Sequence, residues 1–349
     1  MRAVDEAAPD STTDTAEARP SLTGFAVGDR SPLFLDGWLE FNRRLSGVEP
    51  VRIRTEVRGT RGVEAVIYVD RRGRVVLPPL NPYLPIAYEA PVYNQPIRER
   101  RHWIDAVAPL VDEMRSRRVA DNVVLSPGID DVRPWFWAGF RSTMSYTTVV
   151  RIPAAMSRMD REMVRRARKS AEIGYRLEVG APAGDVVECM AGTERRKGFS
   201  HHFLPEDASL LASLLGADAA RAYVIYAPDG SPASSVMVLH NPGGVAVSTV
   251  GGTDPRFFAD GVSQLLAIGV LEDLTHAGAI AWDMAGADIQ GVALWKEGLG
   301  GELTVVPRIE PRTLRNVLRG ARDWAFRSRG SENPSGSSGT PKRTLRHQD

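Results

Sequence analysis

The chain has 349 residues, 43% hydrophobic and 25% charged, a length that favours two domains at roughly 150 residues each, with cores of their own. Lys plus Arg number 44 against 43 Asp plus Glu, so the net charge of +1 supplies no overall field for holding DNA or an anionic membrane, and any phosphate recognition has to be local. The one cysteine, Cys189, excludes an internal disulfide and a Cys-based zinc site and fits a reducing, cytoplasmic compartment; no cationic start with an apolar run and no stretch of about 18 apolar residues occurs, so neither an export signal nor a membrane span is expected.

Residues 1–24 read as a disordered N-terminus, with a charge of −3 over residues 1–20, and residues 329–349 as a disordered Ser/Gly/Pro-rich tail with a basic finish. Between them the hydrophobic pattern keeps changing period. Residues 33–46 place Phe34, Trp38, Phe41 and Leu45 on one helical face, and VRIRTEV and EAVIYVD alternate as strands before a turn at Arg72 and Gly73. Residues 77–96 carry six prolines together with Tyr83, Tyr88 and Tyr93, too rigid for a helix and too interrupted for a central strand, so they read as an ordered wall or lid. A helix over 99–118 turns Trp103, Val107, Leu110 and Met114 inward, with Pro109 expected to kink it or to start a new turn. NVVLSPG follows as a short buried strand, and RPWFWAGF as an aromatic connection into a strand at SYTTVVRIP.

A second cycle opens with Ser157 and Asp160 as a capping box for a helix that ends near Gly174, followed by the strand YRLEVG. Helices through VVECMAGTERRKGF and PEDASLLASLLG precede three strands, ARAYVIYA, ASSVMVLHN and GVAVSTVGG, separated by the turn sequences PDGSP and NPGG. An amphipathic helix over 261–277, the strand AIAWDMAG, a short helix at 290–299, the strand ELTVVPRI and a helix over 311–328 opened by Pro311 complete the pattern. Helix, antiparallel strands, helix, strand, helix, strand thus occurs twice, over 25–150 and 151–310. That is an α+β chain with two tandem domains alike in pattern but not in sequence.

Lys296 in KEGLGGE stands before a Gly-rich helix exit. It reads either as an exposed lysine before a glycine cap or as an ammonium that meets an anion beside approachable backbone N–H groups; the Walker pattern is absent. Asp283, between Trp282 and Met284, is either a base or orienting group with a raised pKa, or a carboxylate that fixes the following loop. His201, His202 and His240 come with no nucleophile motif and no metal-ligand spacing, so neither a covalent triad nor a metal site is expected. Over 151–170, Arg151, Arg158, Arg161, Arg165, Arg166, Arg168 and Lys169 stand against Asp160 and Glu162, a local +5, and Arg195, Arg196 and Lys197 form a second cluster. These are either solvated helix faces or a local phosphate contact.

The ordered series RRARKSAEIGYRLEVG, GTERRKGF, STVGGTDP, GVSQLLAIGVLEDLTHAGAIAWDMAG and GVALWKEGLGG resembles the Fem-type (FemAB) branch of the GNAT acyltransferase superfamily, over about residues 30–328 and most strongly from 150 to 302. The resemblance implies tandem GNAT-like domains, the first completed by the 311–328 helix, and transfer of an activated acyl group to an amine. It implies no bound cofactor; the co-substrate is an aminoacyl-tRNA, touched locally, or an acyl-CoA. Lys296 matches the lysine of the family's aromatic-Lys-x-x-Phe/Leu-Gly-Gly segment near the reacting ester, Asp283 the acid of the strand before it, and Arg166 and Lys169 the basic helix. Donor phosphate contact is expected at Arg166, Lys169, Arg256, Gly261 and Gly300, and acceptor contact at Tyr83, Tyr88, Tyr93, Asn94 and Trp295. RFFADG (256–261) lacks the first glycine of the CoA pyrophosphate loop, which favours aminoacyl-tRNA over CoA, although N–H groups at the start of the 261–277 helix still suit a phosphate. Amides along SVMVLH are expected to complete an oxyanion site, as strand amides do in GNAT folds. The resulting expectation is a Fem-like N-acyltransferase acting on a peptide or small-metabolite amine with aminoacyl-tRNA as donor; the alternatives are an acyl-CoA-dependent enzyme and a non-catalytic binding protein with the same pocket.

Overall fold

The computed structural model describes residues 31–152, 155–197 and 203–312 apart from residues 90 and 92, with the side chains of 155 and 192–197 left aside. The expectations for the two termini, for His201 and His202, for the side chains of Arg195, Arg196 and Lys197, and for all but the first two residues of the 311–328 helix lie outside the described residues.

A 3-10 turn at Pro32–Phe34, capped by Ser31, leads into α1 (Asp36–Ser46), which buries Trp38 and Phe41 and half-buries Leu45, the face set by the spacing. Strands β1 (Glu49–Val57) and β2 (Thr60–Val69) form a hairpin whose turn holds Arg58 and Gly59 at φ 54° and 79°, the positive pair that a two-residue turn needs. Along the other edge of β2 lie two short strands, β3 (Val75–Val76) and β4 (Ile86–Tyr88). Helix α2 (Pro96–Arg117) covers this sheet with Trp103, Val107, Leu110 and Met114 buried, each contributing about 1.5–3 kcal/mol. It runs as one helix through Pro109. The proline-rich segment before it is pinned by a buried network. Trp38 Nε1 donates to Asn81 Oδ1 at 3.0 Å, and Asn81 Nδ2 donates to Asn42 Oδ1 at 2.6 Å.

The remaining strands build a second sheet. After β5 (Val123–Val124) the aromatic connection forms a short helix, α3 (Arg133–Trp137), and then β6 (Phe140–Arg151). There follow α4 (Ala155–Arg158), α5 (Arg161–Ile173), β7 (Arg176–Val179), α6 (Ala183–Lys197), α7 (Pro205–Ala219), β8 (Ala220–Tyr226), β9 (Pro232–Leu239) and β10 (Val245–Thr253). A 3-10 turn at Pro255–Asp260, α8 (Val262–His276), β11 (Ala281–Gly286), α9 (Gln290–Gly298) and β12 (Glu302–Pro311) complete the described chain. The strand order is β5-β12-β6-β11-β10-β9-β8-β7, antiparallel throughout except for β10 and β11. A parallel pair needs a crossover, and α8 supplies it.

Three expectations change here. The helix after Met159 is capped by Asp160, whose carboxylate accepts from Glu162 N at 2.7 Å, while Ser157 lies inside α4. Pro311 is the last residue of β12, paired with Phe140, and does not open a helix. The boundary drawn at residue 150 falls within β6, and β5 and β6 belong to the same sheet as the strands of the second half. The halves are further joined by one continuous apolar cluster running from Trp38, Phe41 and Leu110 to Val186, Leu211 and Leu239. Gly37 of α1 has room for no side chain against the Leu214 carbonyl of α7. A second cluster, with Tyr223, Leu266, Val270 and Trp282, lies between the large sheet and α5 and α8.

Candidate functional site

Strands β10 and β11 pair over only three positions, Val245 with Ala281, Ala246 with Trp282 and Val247 with Asp283, and then part. Both strands carry a bulge just beyond: β10 shifts register against β9 between Ser248 and Val250, and β11 shifts against β6 between Asp283 and Gly286. The parting leaves a cavity of about 480 Å³ between the two strands, α8 and α9. Its walls are Ser248 to Thr253 of β10, Ser234 to Val236 of β9, Trp282, Met284 and Ala285 of β11, Ser263 to Ala267 on α8 apart from Leu265, and Val292, Trp295 and Lys296 of α9. None of these walls is a carboxylate or an imidazole. A run of hydroxyls crosses one side, with Ser234 Oγ 2.7 Å from Thr253 Oγ1 and that atom 3.0 Å from Ser263 Oγ. Gln264, its amide oriented by its partners, donates to Gly261 O at 3.2 Å and accepts from Trp295 Nε1 at 3.3 Å, tying α9 to the start of α8.

The open strand edge is therefore that of β10. The sequence pointed instead to SVMVLH, which is β9, but β9 lies between β8 and β10 and its amides serve the two ladders. Nothing in the alternation of β9 and β10 distinguishes a central strand from one whose partner has turned away.

Lys296 is buried beside this cavity, and its ammonium donates to the carbonyls of Met284, Ala285 and Gly286 at 2.7, 2.6 and 2.8 Å. An ammonium has three N–H donors, and three successive carbonyls receive them. Ala285 between them is left-handed at φ 57°, a conformation that costs a non-glycine residue about 1–2 kcal/mol. Asp283 lies on the opposite face of β11, because neighbours on a strand alternate, and it does not line the cavity. Its Oδ1 accepts from the Ala285 N–H at 2.8 Å and from the Thr147 hydroxyl, and its Oδ2 accepts from the Tyr83 hydroxyl at 3.0 Å. Complete burial raises the Asp283 pKa, against the lowering effect of these donors and of the Lys296 charge. Tyr83 is held well above its usual pKa by burial and by the Asp283 charge, so it remains a donor.

The other expected site residues separate into groups. Gly261 is left-handed at φ 78° at the start of α8, and a side chain there would meet Arg166 O at 2.7 Å, so α5 and the start of α8 touch through backbone. Arg166 is exposed and paired with Glu162 at 3.1 Å; Lys169, next on that face, is exposed. Arg256 is exposed, held by Asp254 at 2.8 Å and lies over the Phe257 ring. Gly300, at φ 81°, closes the end of α9 with its N–H on Glu297 O at 2.9 Å. Trp295 lines the cavity. Tyr88 and Tyr93 do not; they gather around His102, which Tyr88 meets at 2.9 Å from hydroxyl to Nδ1, and Tyr88 borders a separate hollow of about 170 Å³ with Trp103, Glu99 and Asp130. Asn94 is exposed. Among the described residues, no group of three or more His, Cys, Asp or Glu side chains is placed to hold a metal, and no helix is long and apolar enough to cross a membrane. The sequence reading missed Ala285, Thr147, Gln264 and the hydroxyls of Ser234, Thr253 and Ser263, small or uncharged residues that carry no motif.

No protein-family model matches the sequence, and the search of curated proteins finds no match. Solved structures do match in three dimensions. FemX aligns with a TM-score of 0.57 at 13% identity, covering 82% of this chain and 94% of its own. The C-terminal domain of a putative lysylphosphatidylglycerol synthetase from Agrobacterium fabrum aligns at 0.54 and 11%, covering 85% of this chain and 93% of its own. A conserved protein of unknown function from Bacteroides thetaiotaomicron aligns at 0.52 and 11%, covering 84% of this chain and 96% of its own. At such identities the likeness is one of architecture, and this α+β chain has the fold of FemX and of the lysylphosphatidylglycerol synthetase domain.

Proposed function

We propose that the protein is an N-acyltransferase that lays an activated acyl donor in the cavity between β10 and β11 and passes the acyl group to an amine. The observation that carries this reading is the parting of the parallel pair after Val247 and Asp283, which opens a mainly apolar cavity along the free edge of β10. The donor ester or thioester is already activated, so the protein has to place it, polarise its carbonyl and admit the amine. Backbone N–H groups along β10 beyond Val247 are the donors available to a developing oxyanion, and the hydroxyl run from Ser234 to Ser263 suits the neutral polar groups of a donor arm. Among the described residues no acid or imidazole lines the cavity, so the amine would enter in its uncharged form and lose its proton to solvent or to the leaving group.

An aminoacyl-tRNA is the donor we favour. Its support is the exposed basic face of α5, which packs against the start of α8 at Gly261, together with the fold shared with the domain of a putative lysylphosphatidylglycerol synthetase. One observation favours an acyl-CoA instead: among the described residues the cavity wall has no carboxylate to meet the ammonium of an aminoacyl group. Incubating the protein with charged tRNA and, separately, with acyl-CoAs, each with and without ribonuclease, tests the proposal. Ribonuclease-sensitive, protein-dependent transfer from tRNA to an added amine is the expected result. Transfer that survives ribonuclease and uses acyl-CoA selects the second reading, and absence of transfer from either donor to any amine rejects both.

A further inference from the structure

Lys296 and Asp283 converge on the same residue from opposite sides. Of the three non-glycine residues with positive φ among those described, Arg58 sits in the β1–β2 turn and Arg118 caps α2, whereas Ala285 lies within a strand. Its N–H is held by the Asp283 carboxylate at 2.8 Å and its carbonyl by the Lys296 ammonium at 2.6 Å. Lys296 also grips the carbonyls on either side, and Asp283 is itself oriented by Thr147 on β6 and by Tyr83 from the first half of the chain. The clamped residues are the β11 bulge, where Met284 and Ala285 together oppose Thr148. Pairing with β10 ends immediately before it, and Met284, Ala285 and Lys296 all border the cavity.

We propose that Lys296 and Asp283 are positioning residues: together they force Ala285 into its left-handed conformation and so hold β11 turned away from β10, which keeps the cavity open. A lysine that met the reacting carbonyl would direct its ammonium into the cavity, and this one directs it onto the strand that forms the wall. The clamp itself is independent of the chemistry; its effect on turnover rests on the acyltransferase reading above.

Glycine adopts this conformation without force, so Ala285→Gly should make the clamp dispensable. The first experiment uses no donor. Melting temperatures of wild type, Lys296→Met, Ala285→Gly and the double variant form a cycle, and the loss caused by Lys296→Met is expected to shrink in the Ala285→Gly background. Additive losses overturn the clamp whatever the protein's activity. If Lys296→Met alone does not fold, recovery of a folded double variant supports the proposal and its failure to fold overturns it. The second experiment uses whichever donor the tRNA and acyl-CoA assays identify. Lys296→Met should raise the donor KM about tenfold or more with a smaller fall in kcat, and Ala285→Gly should restore most of kcat/KM. A fall in kcat of about a thousandfold at unchanged KM, without rescue, makes Lys296 a charge acting on the transition state and overturns its role as a positioning residue. A wild type inert with every donor rejects the acyltransferase reading and leaves the melting cycle to decide the clamp.

Discussion

At the scale of single residues, burial decides what each ionisable group does. His240, buried at the end of β9, is held below its usual pKa by burial and then by the Arg221 cation, against smaller opposing effects from Asp218 and Asp273. In the unfolded chain an imidazole takes up its proton as the pH falls through about 6.5, whereas the folded chain resists that proton. Stability from this group is therefore complete above about pH 6.5 and drains away below it. Replacing His240 with Leu is expected to flatten the acid side of a melting-temperature profile between about pH 7 and 5; an acid side as steep as before assigns the loss to other groups. At the cavity, kcat/KM should follow the pKa of the acceptor's own ammonium, so an acceptor one unit less basic moves the profile down by about one unit, and indifference to the acceptor would reveal a base on the protein. Asp283 was conspicuous in the sequence as a charge among apolar neighbours, and Lys296 as a lysine before a glycine-rich helix exit. Their meeting point was hidden, because an alanine gives no sign of a left-handed backbone, and Tyr83 stands 200 positions before the carboxylate it meets.

The elements follow their hydrophobic periods closely, and the departures come from contacts made at a distance. Ser157 and Asp160 are both good capping residues; the backbone N–H of Asp160 is taken by Gly298 O at 2.8 Å, and that tertiary bond sets where α5 begins. Period-2 alternation marks β9 and β10 equally, yet only the fold tells which has lost a neighbour. Gly252 shows how tightly the wall is backed. A side chain there would come within 2.6 Å of Cys189 O and 2.9 Å of the Met190 Cα on α6. Gly252→Ala should thus cost about 1–3 kcal/mol by prising α6 from β10. Denaturant melts measure the cost, and a value near zero means that α6 moves freely to accommodate the methyl group.

For the whole molecule, the α+β class and the order of its elements were legible, while the place of a boundary at residue 150 was not, since a strand's sheet cannot be read from its own residues. Strand β6 comes from the first half and lies between β11 and β12 of the second. A fragment of residues 151–349 is therefore expected to show no cooperative melt and to bind a hydrophobic dye; a sharp melt would establish the second half as a unit of its own.

The same placement bears on how the protein is made. While it is being synthesised, β6 emerges with both edges bare, and the two strands that will cover them are still untranslated. This twelve-residue strand, with the strong sheet formers Tyr146, Thr148 and Val149 among its residues, must wait until β11 and β12 have been made. Charges near the ends of a bare strand oppose pairing with a second copy, and Arg141 and Arg151 stand one near each end of β6.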